Sequence, residues 1–468
     1  MSSCHNPGIG IRCLQGAAEN LMTSNTLPNY TVLDPKLDRL PPAQLEALQA
    51  ERLRNMVRYV YAATPFWYRK LDKAKVHPEQ IRGLADLSKI PFCTKEELQS
   101  DQAEHPPFGS YLGIDRSKLT KFMTTSGTTG KPLRRVFSGR DWSYVLDRFQ
   151  RNPRLGPGDI MVTLGPMDGL MGPTAGVESA SRTGAMVVLA GLYDSKSKVR
   201  LLTELKPTAV NGTASYLLYL LDVAREMGVD LATLGIKTVL SVGEPGAAIP
   251  ATRQRLKAGW GAFINDGYGM TELFPLGGGC RHSRALHIAS DLVITEIVDA
   301  ETGTPVTPGE PGEIVYTNLV GDSQPLLRYR TRDIARLSSS EPCACGFTGI
   351  RLKNAIEGRV DDMIWFRGAN LYPSAIEEVV RNFTELADEY EIVIEGDGSL
   401  PRMTVRVETR PGVEVAAHVD LKKRFKESLT AAVRIASTLE VLPYGTLPQA
   451  KAGAKKRRVI DKRSPSQQ

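Results

Sequence analysis

Residues 123–132 read MTTSGTTGKP, a run with almost no side chain able to build a core. Ser126, Thr128 and Thr129 place hydroxyls around Gly127 and Gly130, and Lys131 adds a fixed cation. A loop of this kind wraps a polyanion through backbone N–H groups and short donors, with phosphate as the natural guest. Its glycines let the backbone come close and take φ values that larger residues resist. A Walker A loop is excluded, because Thr125 stands where its first glycine would fall and Pro132 replaces the hydroxyl residue after the lysine. A solvated Ser/Thr/Gly linker is the bland alternative for such a run when nothing else supports it.

C-terminal to the loop, short apolar runs alternate with helical stretches: DIMVTL, AMVVLA, TAVNGT, TVLSVG and AFINDGY, with YLLYLLDVAREMG between them and Gly228 as its C-cap. Strands separated by helices make βαβ units and mostly parallel sheet. Residues 292–317, LVITEIVD and GEIVYTNL around a Gly/Pro-rich turn, read instead as an antiparallel meander. Past Gly358, Ser374 and Glu377 form a capping box after Pro373, strand-like YEIVIEG and MTVRVET follow, and residues 415–434 are again helical. On the N-terminal side, residues 1–28 lack any period, and disorder is expected there. From Pro41, Leu45, Leu48, Leu53, Met56, Val57 and Val60 share one helical face until Pro65 ends it. The expectation is an α/β protein: a large domain, 29–357, of mixed, mostly parallel sheets with helices, and a small α+β domain, 358–468.

A chain of 468 residues is too long for one core. No apolar run is long enough to cross a bilayer, and MSSCHNPGIGIRCLQG lacks a charged start followed by an apolar segment. No membrane partner is expected, and the cytoplasm is the default location. Six cysteines argue against a disulfide framework. Residues 451–463, KAGAKKRRVIDKR, hold seven Lys/Arg against one Asp, so 7 − 1 = +6 of the net +7 lies in this stretch. The remainder is nearly neutral, which argues against nucleic acid as a partner.

Further signatures follow the loop in order: Ser241-Val-Gly-Glu-Pro245, Tyr268-Gly-Met-Thr-Glu272, Tyr329-Arg-Thr-Arg-Asp333, Gly358-Arg-Val-Asp361 and Arg367-Gly-Ala-Asn-Leu-Tyr-Pro373. Together with MTTSGTTGKP they resemble the adenylate-forming enzymes. ERLRNMVRYVYAATPFWYRKL (51–71) and LSKIPFCTKEEL (87–98) resemble the phenylacetate:coenzyme A ligase branch. The resemblance implies that ATP is cleaved to acyl-AMP and pyrophosphate by a carboxylate, after which a thiol displaces AMP.

By the same resemblance Ser126, Gly127, Thr128, Thr129, Gly130 and Lys131 hold phosphate, and Gly243, Glu244 and Pro245 lie against adenine. Tyr268 and Gly269 lie near the nucleotide, Thr271 contacts the α-phosphate and Glu272 holds Mg²⁺. Asp333 takes the ribose hydroxyls, a task that suits two acceptor oxygens, and Arg359 reaches the nucleotide. Asp361 is the hinge of a mobile small domain whose Gly368 loop lines the pantetheine path of coenzyme A. The bridging lysine precedes an Arg-Val-Ile-Asp run. Arg458 to Asp461 supplies that run, and counting back selects Lys455. Gly453 is one residue early for the pattern, so Lys456 and Lys451 remain alternatives.

Cys343-Ala-Cys345-Gly346, with Cys280 and His287 upstream, offers four soft ligands suited to structural, tetrahedral Zn²⁺. Spacing alone leaves buried free cysteines as the alternative, and His282 as a second imidazole. Members of the resembling branch carry cysteines at these places. Leu164 to Pro173 brings Met167 and Met171 but no ring, an apolar lining compatible with a flat aryl carboxylic acid, with Asp168 open to two roles, meeting an amino or hydroxyl substituent or only capping a turn. Three readings stand: an aryl acid–coenzyme A ligase; an adenylating enzyme that passes its acyl group to a carrier protein or an amine; and a non-catalytic nucleotide binder, which intact Lys131, Glu272 and Asp333 oppose. A homodimer is one assembly open to it.

Overall fold

The computed structural model describes residues 26–30, 34–125, 132–151, 155–167, 169–366, 369–396, 402–413, 417–433, 437–451 and 458–463. Most of the N-terminal extension, the run Ser126–Lys131, Asp168, Gly368, Lys455 and Lys456 lie outside them.

The first helix, α1 (Pro42–Ala63), buries Leu45, Leu53, Met56, Val57 and Val60 along one stripe. Each such side chain contributes about 1.5–3 kcal/mol of hydrophobic stabilisation. Pro65 ends α1 as expected and also opens α2 (Pro65–Lys73), because its fixed φ and missing N–H suit a first turn. Helix α3 (Lys95–Glu104) begins at a reciprocal capping box between Thr94 and Glu97.

The strands β1 (Leu119–Thr124) and β2 (Arg134–Ser138) pair antiparallel across the phosphate-loop run and lead into α4 (Gly139–Gln150). Five parallel strands then alternate with helices: β3 (Ile160–Thr163), α5 (Met171–Arg182), β4 (Met186–Leu189), α6 (Ser195–Leu205), β5 (Ala209–Gly212), α7 (Ala214–Glu226), β6 (Thr238–Val242), α8 (Pro250–Trp260) and β7 (Phe263–Met270). Register aligns Val162, Val210, Val239 and Ile264 in a row, all buried, which explains why these runs are apolar without alternation. Gly228, at φ +69°, follows the end of α7 as the sequence predicts.

Strands β8 (Phe274–Cys280) and β9 (Ser283–Ile288) continue this sheet antiparallel. Among the described residues it has eight strands, in the order β13-β9-β8-β7-β6-β5-β3-β4, where β13 is Arg351–Leu352. The expected meander is β10 (Val293–Val298) on β11 (Gly312–Asn318), joined by β12 (Tyr329–Ala335) and β14 (Gly358–Arg359) in a second antiparallel sheet.

The C-terminal part has its own core. The short pair β15 (Ile364–Phe366) and β16 (Ala369–Leu371) leads into α9 (Pro373–Asn382), β17 (Leu386–Glu395), β18 (Arg402–Thr409), α10 (Ala417–Val433), β19 (Thr438–Leu442) and β20 (Val459–Asp461). Ile376, Val380, Ile392, Val405 and Phe425 meet in a cluster separate from those of the large sheets. The Ser374/Glu377 capping box does not form. Pro373 starts α9 one residue earlier, with Tyr372 at the cap, so the Ser374 hydroxyl donates to the Glu357 carbonyl at 2.8 Å.

Candidate active site

Three of the motifs converge on one carboxylate. The Tyr268 hydroxyl donates to Asp333 Oδ2 at 2.7 Å, and Arg359 Nη1 donates to Asp333 Oδ1 at 2.6 Å. Pairing of β12 with β14 sets Asp333 opposite Arg359, which accounts for the second contact. A β-bulge accounts for the first. Arg332 takes φ +65°, a conformation that non-glycine residues adopt only when their surroundings impose it. The surroundings here are the fully buried Glu313, whose Oε1 accepts from Arg332 N at 3.0 Å, and Thr331, whose hydroxyl accepts from Asp333 N at 3.0 Å. Burial and the Asp333 charge push the Tyr268 phenol well above its ordinary pKa. Burial would lower Arg359, but Asp333, Asp361 and Asp362 outweigh it and hold the guanidinium above its usual value. A carboxylate has two acceptor oxygens, the number that a pair of ribose hydroxyls calls for.

Glu272, at the end of the Tyr268 motif, is buried, and its Oε1 lies 3.3 Å from Lys95 Nζ and 3.4 Å from the Tyr329 hydroxyl. Among the described residues, the approaches of Lys95 and of the Tyr329 hydroxyl are both made to Oε1 rather than Oε2. A carboxylate is a hard oxygen donor of the kind Mg²⁺ takes, and this one lies beside the half-buried Thr271. The register of β7 on β8 slips between Tyr268 and Gly269, and pairing resumes at Gly269 and Met270.

The turn after β6 places Gly243 at φ +94° and Glu244 beneath the start of α7, where Glu244 Oε1 accepts from Ser215 N at 2.5 Å. Burial raises the Glu244 pKa, and Arg458 acts against it across the boundary with the C-terminal part. Pro245 opens the short turn that follows. The neck of the phosphate loop is tied by Thr125 N to Leu133 O at 3.1 Å and Leu133 N to Thr125 Oγ1 at 3.0 Å. Thr124 N donates to Gly169 O at 3.2 Å, so the segment with Leu164 and Met171, both buried, lies against that neck. These features lie past the carboxyl ends of the parallel strands, where open α/β sheets bind ligands.

Sequence reasoning missed Asp266, two residues before Tyr268. It is buried on β7, and burial, only partly offset by Arg253, pushes its pKa up to about 7. A carboxylate inside the apolar run AFINDGY was the available signal. Lys95 was missed too, because nothing local in LSKIPFCTKEEL points to Glu272.

The C-terminal part docks on α8 and α7. Arg255 donates to Asp388 Oδ1 and to the Phe383 carbonyl, both at 2.6 Å, Thr252 donates to Glu377 at 3.2 Å and Arg410 to Asp222 at 2.9 Å. Arg458 pairs with Glu389, so the stretch that begins the Arg-Val-Ile-Asp run is anchored near Glu244. Lys451 is exposed at the other side of the segment holding Lys455.

A second cluster lies apart from this site. Cys280, His287, Cys343 and Cys345 bring one ligand atom each to within 4.8 Å of one another. Cys280 Sγ and Cys343 Sγ are 3.7 Å apart, near the ~3.8 Å that Zn–S bonds of about 2.3 Å imply at a tetrahedral centre. His287 Nδ1 lies 3.9 Å from Cys345 Sγ, and its ring stacks on Phe347 with centroids 4.3 Å apart. Burial lowers the His287 pKa to about 4, so the imidazole is neutral and able to ligate. The donor set fits zinc. His282 is exposed and outside the set; it lines a cavity of about 460 Å³ with Lys237 and Arg281, at the edge where the parallel strands begin, opposite Tyr268 and Glu244.

AMP-binding enzymes match residues 42–318, and the AMP-binding enzyme C-terminal domain matches residues 368–463. The chain is 33% identical to a phenylacetate–coenzyme A ligase of Thermus thermophilus over 92% of this chain and 99% of that one. It is 31% identical to the phenylacetate–coenzyme A ligase of Aromatoleum evansii, over 93% and 98%. Among solved structures it is similar to 2-hydroxyisobutyryl-CoA ligase in the postadenylation state, at TM-score 0.86 and 28% identity, covering 94% of this chain and 95% of that one. Against the same ligase in the thioesterification state, with equal coverage and 29% identity, the TM-score is 0.68.

Proposed function

Since this chain belongs to the AMP-binding enzymes, on their phenylacetate–coenzyme A ligase-like branch, we propose that the acid it activates is an aryl carboxylic acid. The enzyme is an AMP-forming acid–coenzyme A ligase: ATP and the acid give acyl-AMP and pyrophosphate, and the thiol of coenzyme A then displaces AMP. The aryl preference is supported by the relatives' substrate and by the apolar, methionine-bearing segment at the neck of the phosphate loop.

The observation that carries the site reading is the clamp of Tyr268 and Arg359 on Asp333, beside Glu272. Asp333 accepts the ribose hydroxyls, and Tyr268 fixes the carboxylate that does so. Ser126 to Lys131 cradle the phosphates, Thr271 donates to the α-phosphate, and Gly243 to Pro245 face the base. Glu272 holds Mg²⁺, which when bound neutralises charge on the phosphates. Lys455 arrives beside the α-phosphate and the acid. The residues act by orientation and by a field preorganised for the charge of the transition state.

The small domain, 358–468, pivots at Asp361. The similarity to the postadenylation state, 0.86 against 0.68 for the thioesterification state of one and the same protein, supports reading the described arrangement as that of the first half-reaction. Rotation withdraws Lys455 and brings the Gly368 loop to the pantetheine. Zinc is structural at Cys280, His287, Cys343 and Cys345, where it ties β8 and β9 to the 343–345 turn. The cytoplasm, where ATP and coenzyme A are both at hand, is the proposed location. A homodimer, decided by sedimentation, is the proposed assembly, with the edge strand β4 as its contact, since Met186 and Leu189 are exposed there.

Pyrophosphate release across a panel of acids, with and without coenzyme A, tests this. Phenylacetates, hydroxybenzoates or aminobenzoates should turn over and yield the thioester. Turnover confined to aliphatic or long-chain acids would overturn the aryl assignment, and release with no thioester would favour a carrier protein or an amine as acceptor.

A further inference from the structure

We propose that Lys95, on the helix of the N-terminal region, is a positioning residue for the first half-reaction: with Tyr329 it pins Oε1 of Glu272 so that Oε2 is kept for the nucleotide's metal. The proposal rests on the reading of Glu272 as the Mg²⁺ ligand.

The position of Lys95 is set from both sides. Cys93 runs beside the start of β12, with Cys93 N donating to Arg328 O at 3.0 Å and Arg330 N donating to Cys93 O at 2.9 Å. Immediately after, Thr94 caps α3: its hydroxyl accepts from Glu97 N at 3.3 Å, and Glu97 Oε2 accepts from Thr94 N at 2.9 Å. Lys95 is therefore the first residue of a helix whose entry is fixed to the strand that carries Tyr329 and Asp333. Its ammonium reaches Glu272 Oε1 at 3.3 Å, and the Tyr329 hydroxyl donates to the same oxygen at 3.4 Å. The neighbouring Glu96 is turned to Arg332, 3.7 Å away, and does not compete for the lysine.

A metal ligand held at one oxygen by a cation and a phenol has its rotation removed before the metal arrives. Partners that orient a ligand typically matter about 10–100-fold in metal affinity when removed. A lysine suits the role: it is a compact point charge on a flexible stem and can follow the carboxylate as the metal enters.

The test uses Mn²⁺ with α,β-methylene-ATP, which cannot be cleaved at the bond in question, and reads bound Mn²⁺ by EPR. Acid-dependent ATP–pyrophosphate exchange is read beside it. Lys95→Met and Lys95→Gln should weaken Mn²⁺ binding about tenfold or more and raise the Mg²⁺ needed for half-maximal exchange, while Lys95→Arg stays within about threefold. Glu272→Gln serves as the reference. Should Glu272→Gln weaken Mn²⁺ binding while both uncharged Lys95 variants, folded by their melts, bind it normally, the proposal is overturned and the Glu272 reading stands. Should Glu272→Gln itself leave Mn²⁺ binding unchanged, the Glu272 assignment falls and Lys95 falls with it.

Discussion

Arg255 ties the two parts of the chain together, and replacing it by alanine should separate the two half-reactions. It projects from α8, and its guanidinium reaches both Asp388 Oδ1 and the Phe383 carbonyl at 2.6 Å. Burial alone would raise the Asp388 pKa, yet Arg381, Arg410 and Arg255 outweigh it and keep the carboxylate ionised. A hydrogen bond to a charged group contributes about 1.5–3 kcal/mol. Asp388 retains Arg381 at 3.1 Å and Arg410 at 3.2 Å within its own part, so the loss at the carboxylate falls at the low end of that range. With the Phe383 contact, about 2 kcal/mol of docking free energy is removed, which is roughly 30-fold in the equilibrium between docked and rotated arrangements. Acid-dependent ATP–pyrophosphate exchange should therefore fall by up to that factor, while the reaction of supplied acyl-AMP with coenzyme A should not slow. Equal slowing of both half-reactions at an unchanged melting temperature, or no effect on either, would refute the reasoning.

Purified protein should carry about one zinc per chain by elemental analysis, and Cys343→Ser or Cys345→Ser should lose it together with thermal stability. A metal-free protein with an unchanged melt in chelator would count against the site. Asp266→Asn should flatten the dependence of stability on pH. The carboxyl has a pKa of about 7 in the fold against an ordinary 3.8, so its stabilising contribution is full below 3.8 and is lost as pH rises through 7. The variant's advantage in denaturant titrations should grow across that window, on the order of 4 kcal/mol at most, and a constant difference would show Asp266 to be ionised throughout. Lys455→Ala should abolish pyrophosphate exchange yet leave thioester formation from supplied acyl-AMP intact; unchanged exchange would move the role to Lys456 or Lys451.

The alternation of strand and helix between Asp159 and Met270, the meander after Leu292 and the helix from Pro42 were legible because each rests on local periods and on glycine and proline at their ends. Tyr268, Glu272, Asp333 and Arg359 were singled out by the resemblance of their motifs to the adenylate-forming enzymes, and the structure brings Tyr268 and Arg359 onto Asp333. Even locally, a reading could fail: Ser374 and Glu377 have the spacing of a capping box, but Pro373 is the better first residue and took the helix start.

The sequence by itself determined the class of fold, the order of the motifs along the chain and the soft donor types at the Cys/His cluster, since these follow from residue identity and from contacts within a few positions. Only the tertiary structure decided that Lys95 meets Glu272, that Arg255 holds Asp388, that a buried Glu313 bends β12 to aim Asp333 at Tyr268, and that Asp266 is deprived of water. The reason is physical: the strength of a charge depends on what surrounds it and on partners brought from distant parts of the chain, and neither quantity is carried by any single stretch of residues.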